Sequence, residues 1–161
     1  KRPKKERSYL FQLIKNYFLK EIKSIIDQGI KINIIGEIKK FSIELKKTLT
    51  KTAYLTKQNK KIIVNLAINY GSKTEIINAL KKNKKKLNIK NLEKNLYTKN
   101  MPDPDILIRT GGYQRLSNFL LWQLAYTELF FLKKLWPDFN SKDLLNIIKK
   151  YKTIQRNYGK I

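Results

Sequence analysis

Apolar side chains recur every three to four positions between residues 4 and 27, at Leu10, Leu13, Ile14, Tyr17, Phe18, Ile22 and Ile25, and Gly29 follows. That spacing predicts an amphipathic helix with a glycine stop. Residues 31–35 (KINII) are a short β-branched run closed by Gly36, hence a strand. A second helix is expected from Ser42 to about Thr56. Residues 61–69 (KIIVNLAIN) are apolar on both parities, the pattern of a strand covered on both faces. Ser72 with Glu75 three residues on has the spacing of a capping box and predicts a helix to about Lys82. A weaker helical pattern covers residues 91–96. Met101-Pro102-Asp103-Pro104 breaks any helix, and residues 105–109 (DILIR) read as the third strand. A short helix is expected over residues 118–124, a fourth strand over 127–131, and a last helix, capped by Asn140 or Ser141, finishing near Gly159. Alternation of helices with doubly buried strands predicts an α/β fold: a single domain over residues 1–161, with a mostly parallel central sheet flanked by helices.

Composition narrows the chemistry. At 161 residues and 42% hydrophobic, the chain is long enough for one real core. It has no cysteine and no histidine. Thiolate metal sites, disulfides and the commonest general base are therefore excluded, leaving carboxylates, arginines, hydroxyls and backbone amides, a set that favours magnesium over zinc. The net charge of +24 would ordinarily suggest nucleic acid or an anionic surface. Only five of the 36 basic residues are arginine, and the lysines are spread along the whole chain beside abundant Asn and Ile. That is the pattern of a solvated, compositionally drifted surface rather than of a basic site. The opening Lys1-Arg2-Pro3-Lys4-Lys5 has no apolar stretch behind it, so no signal peptide is visible in these residues, and it lacks an initiator methionine. Residues 116–132 are the most apolar stretch, but Asn118, Gln123 and Glu128 mark it as protein interior rather than a membrane span.

In parallel α/β sheets ligands bind beyond the carboxyl ends of the strands, which directs attention to the loop after the third strand. It reads Arg109-Thr110-Gly111-Gly112-Tyr113-Gln114-Arg115-Leu116-Ser117-Asn118. Two glycines let backbone amides approach an anion, two arginines supply forked donors for phosphate oxygens, and Ser117 adds a hydroxyl. The combination points to a diphosphate cradle. Asp103 and Asp105 are better explained as turn residues beside proline, and as the opening of a strand, than as a metal pair. Glu128 lies in the apolar segment LAYTELFF, where a carboxylate is costly unless it meets a metal, Arg109 or Arg115. The alternative is an exposed face of an edge strand.

Residues 102–139 (PDPDILIRTGGYQRLSNFLLWQLAYTELFFLKKLWPDF) resemble the C-terminal signature of the cis-prenyltransferases, the undecaprenyl diphosphate synthase type. NLAINYG at residues 65–71 and INIIGE at residues 32–37 resemble the family's preceding segments in the same order, and Lys1-Arg2-Pro3 the end of its Asn-Trp-x-Arg-Pro motif. The resemblance implies successive cis-condensation of isopentenyl diphosphate onto an allylic diphosphate such as farnesyl diphosphate, giving a polyprenyl diphosphate for the cell-wall carrier lipid. It further implies a hydrophobic tunnel for the growing chain, for which Leu10, Ile14, Phe18 and residues 62–66 are candidate walls. By matching position, Arg109, Arg115, Leu116 and Ser117 would bind isopentenyl diphosphate, Arg2 would contribute to diphosphate binding, and Glu128 would bind Mg2+. A homodimer is implied, with residues 122–132 and their flanks forming much of the interface. The protein would be cytoplasmic or peripheral at the inner membrane face, delivering product to the membrane, with no nucleic-acid partner.

Departures from the family pattern qualify this. The motif His-x-x-x-x-Met-Asp-Gly-Asn-x-Arg-Trp, with its magnesium-binding aspartate, is absent from the 161 residues, as is the asparagine of Asn-Trp-x-Arg-Pro. The expectation is a truncated, split or degraded form that is inactive alone. Tyr113 stands where the family typically has glutamate, and Asn157 where a basic residue usually precedes the closing aromatic-Gly. The alternatives are a non-catalytic subunit pairing with a complete synthase and, more weakly, a charge-driven nucleic-acid binder.

Overall fold

The computed structural model describes residues 3–83 and 86–156, which divide into two compact units, one up to Tyr70 and one from Gly71.

In the first unit, helix α1 (Lys4–Asp27) leads into strand β1 (Ile30–Ile35), a turn of 3-10 helix, helix α2 (Ile43–Leu55) and strand β2 (Ile62–Ala67). The stop after α1 is the expected glycine: Gly29 takes φ +70°, a conformation that side chains resist. Ser42 caps α2 by accepting the Leu45 N–H at 3.3 Å. Strands β1 and β2 pair in parallel from Ile30↔Ile62 to Ile35↔Ala67. Gly36 closes β1 because nothing else fits, since a Cβ there would sit 2.3 Å from the Ile68 carbonyl oxygen. The core of this unit gathers Phe18 and Ile25 of α1, Ile32 of β1, Phe41, and Leu45 and Leu49 of α2.

The expectation that β2 is covered on both faces is not met, because Ile62 and Ile63 are 53% and 54% exposed. Its one strand partner among the described residues is β1, so aliphatic residues on both parities are not matched by cover on both sides. The predicted stripe of α1 is likewise divided. Phe18 and Ile25 are buried, whereas Leu13 and Tyr17 rim an apolar cavity of about 590 Å³ that Ile14, Phe18, Ile32, Val64 and Leu66 also line.

In the second unit, helices α3 (Ser72–Lys82) and α4 (Ile89–Glu93) precede strand β3 (Ile106–Arg109), strand β4 (Glu128–Phe131), a 3-10 turn and helix α5 (Ser141–Lys152). Strands β3 and β4 pair in parallel, Ile106↔Glu128 through Arg109↔Phe131. The α/β class and the parallel strands are therefore as expected, realised as two parallel pairs. Asn140 caps α5 in a full capping box with Asp143. That helix ends at Lys152 instead of near Gly159: residues 154–156 are not helical, and Arg156 turns back to bond the Tyr126 carbonyl at 2.9 Å.

Two local readings are corrected. The Ser72/Glu75 capping box does not form. Gly71 is the cap residue of α3, and Glu75 turns inward, 1% exposed, to accept the Tyr97 N–H at 2.7 Å and Gln123 Nε2 at 3.3 Å. The expected helix over residues 118–124 is absent as well, because Ser117, Asn118 and Leu120 adopt φ of +51°, +64° and +45°. Three left-handed residues within four positions cannot propagate a right-handed helix. The segment is fastened to α3 instead: the Asn118 carbonyl accepts the Ser72 N–H at 2.8 Å and its Oδ1 accepts the Lys73 N–H at 2.9 Å, while Ser72 Oγ accepts the Leu121 N–H at 3.0 Å.

The first unit contains a discrete test of buried polar satisfaction. Thr56 is fully buried, and its hydroxyl accepts the Ile32 N–H at 3.0 Å while donating to the Thr52 carbonyl at 2.9 Å. Thr56→Val keeps the shape and leaves that N–H unpaired, at a cost of about 1–3 kcal/mol. Urea denaturation should show a lowered midpoint for Thr56→Val and a much smaller change for Thr56→Ser. Equal midpoints for parent and valine variant would contradict the bond.

Candidate functional site

Strand β3 ends at Arg109, and beyond its carboxyl end the chain turns through Gly111 and Gly112 at φ +91° and +80°. Other residues are strained at these angles, so the glycines serve the turn. Their N–H groups donate to the carbonyls of Lys134 at 2.9 Å and Leu132 at 2.8 Å. The expectation that these amides face an anion is therefore corrected: the strand-exit chain has taken them, and the donors available to a ligand are side chains.

Those side chains converge. Arg109 Nη1 donates to the Arg115 carbonyl and, at 3.0 Å, to Ser117 Oγ, folding the loop back over the strand end. Its Nη2 and Nε carry no partner among the described residues and remain available as a fork. The Arg115 guanidinium lies 4.1 Å from the centroid of the Tyr113 ring and that of Arg109 5.9 Å, so the exposed tyrosine stands between two cations. Leu116 lines an apolar cavity of about 360 Å³ with Ile108, Phe119 and Leu124, and both arginines stand among its walls. Arg109, Arg115, Leu116 and Ser117 thus form one cluster, cationic over an apolar floor. It is a geometry for a phosphorylated group carrying a short hydrocarbon.

Glu128 is not in that cluster. It opens β4 level with Ile106, three residues from the level of Arg109, or about 10 Å at roughly 3.3 Å per residue. Alternation along the strands puts it on the opposite face of the pair from Arg109. The pairing with Arg109 or Arg115 considered from the sequence does not form. Glu128 is half-buried, and its carboxylate has no partner among the described residues.

Asp103 and Asp105 do not act as a metal pair. Asp105 accepts from Arg156 Nη1 at 2.7 Å and from the Tyr151 hydroxyl at 3.2 Å, and these two hydrogen bonds hold its carboxyl below the usual range. Asp103 is pushed the other way, by burial and then by Glu93. Among the described residues no group of three or more His, Cys, Asp or Glu could hold a metal ion. Arg2 and Asn157 lie outside the described residues. Sequence reasoning missed Arg156 as the partner of Asp105, and missed Asn118 and Glu75 as anchors of the loop's exit. The Ser117-Asn118 pair is the one visible signal, since asparagine tolerates the left-handed region.

A family model described as putative undecaprenyl diphosphate synthase matches residues 1–159. An isoprenyl transferase of Rickettsia bellii is 42% identical over 159 residues, covering 96% of this chain and 70% of that protein. One of Clostridium tetani is 41% identical, covering 99% of this chain and 66% of the relative. The chain therefore spans about two thirds of the length of these relatives. Among solved structures, a probable undecaprenyl diphosphate synthase from Campylobacter jejuni superposes with a TM-score of 0.90 at 33% identity, covering 99% of this chain and 77% of that one. Lavandulyl diphosphate synthase from Lavandula x intermedia, in complex with dimethylallyl diphosphate, gives 0.92 at 31% identity, covering 99% and 73%.

The Asp105 pair has a defined pH signature. A carboxyl whose pKa is lowered on folding stabilises the protein above the ordinary carboxylate range, and that contribution is lost as pH falls through the folded value. Asp105→Asn should melt below the parent at neutral pH, and the two melting temperatures should converge as the pH is taken below about 4. A gap that stays constant down to acid pH would rule the pair out as its source.

Proposed function

The chain belongs to the undecaprenyl diphosphate synthase family of prenyltransferases, and from that premise we propose that it carries the isopentenyl diphosphate half of a cis-prenyltransferase site within one prenyltransferase domain. The observation that supports this most directly is the convergence of Arg109, Arg115 and Ser117 beyond the carboxyl end of β3, with Leu116 on the apolar floor beneath.

In the proposed reaction the bond from the allylic carbon to its diphosphate breaks as the double bond of isopentenyl diphosphate attacks that carbon. A new carbon–carbon bond forms, and loss of a proton restores the double bond. The diphosphate of isopentenyl diphosphate stays attached throughout, so the cradle acts as a clamp. The free fork of Arg109 and the guanidinium of Arg115 would bind its oxygens, with the Ser117 hydroxyl beside them, while Leu116, Ile108 and Phe119 would exclude water from the five-carbon unit. Arg2 would add a cation to diphosphate binding. The 590 Å³ cavity of the first unit, with Ile14, Phe18, Val64 and Leu66 in its wall, is a candidate stretch of the tunnel for the polyprenyl chain; the other expected wall residues, Leu10, Ile62, Ile63 and Asn65, do not line it.

Magnesium, when bound, would offset charge on a departing diphosphate. Glu128 has the chemistry of its ligand, an unpaired carboxylate in apolar surroundings, and magnesium commonly takes one or two carboxylates and fills its shell with phosphate and water. The strand register holds Glu128 apart from the cradle of its own chain, so clamping isopentenyl diphosphate there does not depend on it. A homodimer through residues 122–132 and their flanks fits the exposure of Tyr126, Leu129, Leu135 and Trp136. Among the described residues no helix is long and apolar enough to cross a membrane. A cytoplasmic or peripheral protein that hands its product to the membrane, without a nucleic-acid partner, is the corresponding placement.

Titration of isopentenyl diphosphate by calorimetry tests the cradle. Arg109→Ala and Arg115→Ala should each weaken binding by about tenfold or more, since hydrogen bonds to charged groups are worth roughly 1.5–3 kcal/mol. Glu128→Gln should leave magnesium-free binding within about twofold of the parent, given the register that separates it from the cradle. Unchanged affinity in both arginine variants would sink the reading. The aspartate implied for magnesium is not among these residues, so incubation of the 161-residue chain with farnesyl diphosphate, labelled isopentenyl diphosphate and magnesium should yield no labelled polyprenyl product. Product from the short chain would show that its own residues hold the whole site.

A further inference from the structure

We infer that Asn118 is a positioning residue: it fastens the arginine loop to the first turn of α3, so that the placement of Ser117, and through it of Arg109, is set by a contact 45 residues away in the chain. The inference rests on the proposed diphosphate cradle for its functional meaning and on the geometry alone for the positioning.

The first N–H groups of a helix have no intrahelical acceptor, and they are ordinarily capped by the residue just before the helix. In α3 that residue is Gly71, which has no side chain to offer. Asn118 takes its place from a distant loop, its carbonyl accepting the Ser72 N–H at 2.8 Å and its Oδ1 the Lys73 N–H at 2.9 Å. The exchange is reciprocal, because the fully buried Ser72 returns its hydroxyl to the Leu121 N–H at 3.0 Å. Gly71 is part of the same device. Its φ of −159° is open to any residue, yet a Cβ there would lie 2.8 Å from Asn118 Nδ2. The glycine leaves room for the asparagine amide, which any side chain at this position would push aside.

Asn118 follows Ser117 directly, and Ser117 Oγ accepts from Arg109 Nη1, which also holds the Arg115 carbonyl. The chain of contacts runs from the first turn of α3 through Asn118 and Ser117 to Arg109 and the backbone of Arg115. Leu116, Phe119, Leu120 and Leu124 line the cavity beneath, so a shift at Asn118 moves floor and rim together.

Two variants attack this contact from its two sides. Asn118→Gly removes Oδ1 without strain at φ +64°, and Gly71→Ala pushes against Nδ2. Ser42→Ala, which removes the cap of α2 in the other unit, serves as a control for general loss of stability. Each protein is titrated with inorganic diphosphate at a temperature where circular dichroism shows it folded, and amide hydrogen exchange is followed across residues 109–117. Asn118→Gly and Gly71→Ala should bind diphosphate on the order of tenfold more weakly and exchange faster in that loop, whereas Ser42→Ala should change neither. Loop exchange that stays at the parent level in both variants overturns the positioning role, as does parent-like diphosphate affinity alongside a parent that binds. If the parent fails to bind diphosphate while the loop loosens in both variants, the cradle reading fails and the positioning of the loop stands.

Discussion

The second unit depends on how one apolar segment satisfies its polar atoms. Residues 116–132 carry enough leucine and aromatic surface to collapse in many ways, and an apolar segment without directional contacts has no reason to prefer one register. Three polar attachments choose for it. Asn118 and Ser72 exchange hydrogen bonds at the start of α3, Gln123 Nε2 donates to Glu75 and to Thr98 Oγ1 at 2.8 Å, and the Thr127 hydroxyl donates to the Pro104 carbonyl at 2.6 Å. Glu75 and Gln123 are both almost wholly buried, so these bonds matter more than surface ones, although Gln123 Oε1 itself is buried without a partner among the described residues. The same segment delivers Ser117 at its start and Glu128 near its end, so the attachments that fix the fold also set where these two residues lie.

Much of this was legible in the chain. Helical spacing identified α1, and short β-branched or apolar runs bounded by glycine, proline or turn residues identified the strands. The arginine loop drew attention for a different reason: a Gly-Gly turn flanked by two arginines follows the third strand, where parallel α/β sheets place their ligands. What could not be read was contact order. The capping box at Ser72 and Glu75 is a local hypothesis, and it lost to partners 22 to 49 residues away, the Tyr97 amide, Gln123 and the segment from Asn118 to Leu121. The helix expected over residues 118–124 failed for the same cause. Its leucines have helical spacing, but the bonds from Asn118 to α3 go with left-handed φ at Asn118 and Leu120, which no local propensity for leucine would suggest.

The two glycines of the loop take a different role from the one expected of them. Their flexibility was expected to bring amides onto an anion, as nests of successive N–H groups do. In the folded chain those amides close the turn against the carbonyls of Leu132 and Lys134. An anion at the proposed cradle would therefore meet guanidinium groups, whose donors are charged. Binding at this loop should therefore be less dependent on backbone rigidity, and more on where two long side chains are held, than in a backbone cradle.

How they are held turns on Tyr113, whose ring stands between the two guanidinium groups. A carboxylate between two arginines fixes them through ion pairs, and in doing so offsets the positive charge that a diphosphate would meet. An aromatic ring fixes them by its face and offsets none of it. Arg115 lies 4.1 Å from the centroid of that ring and Arg109 Nη1 bonds Ser117 Oγ, so each guanidinium has a restraint that is not a carboxylate. A tyrosine here restrains the arginines without the charge compensation a carboxylate would bring, so a diphosphate in the proposed cradle would meet both cations.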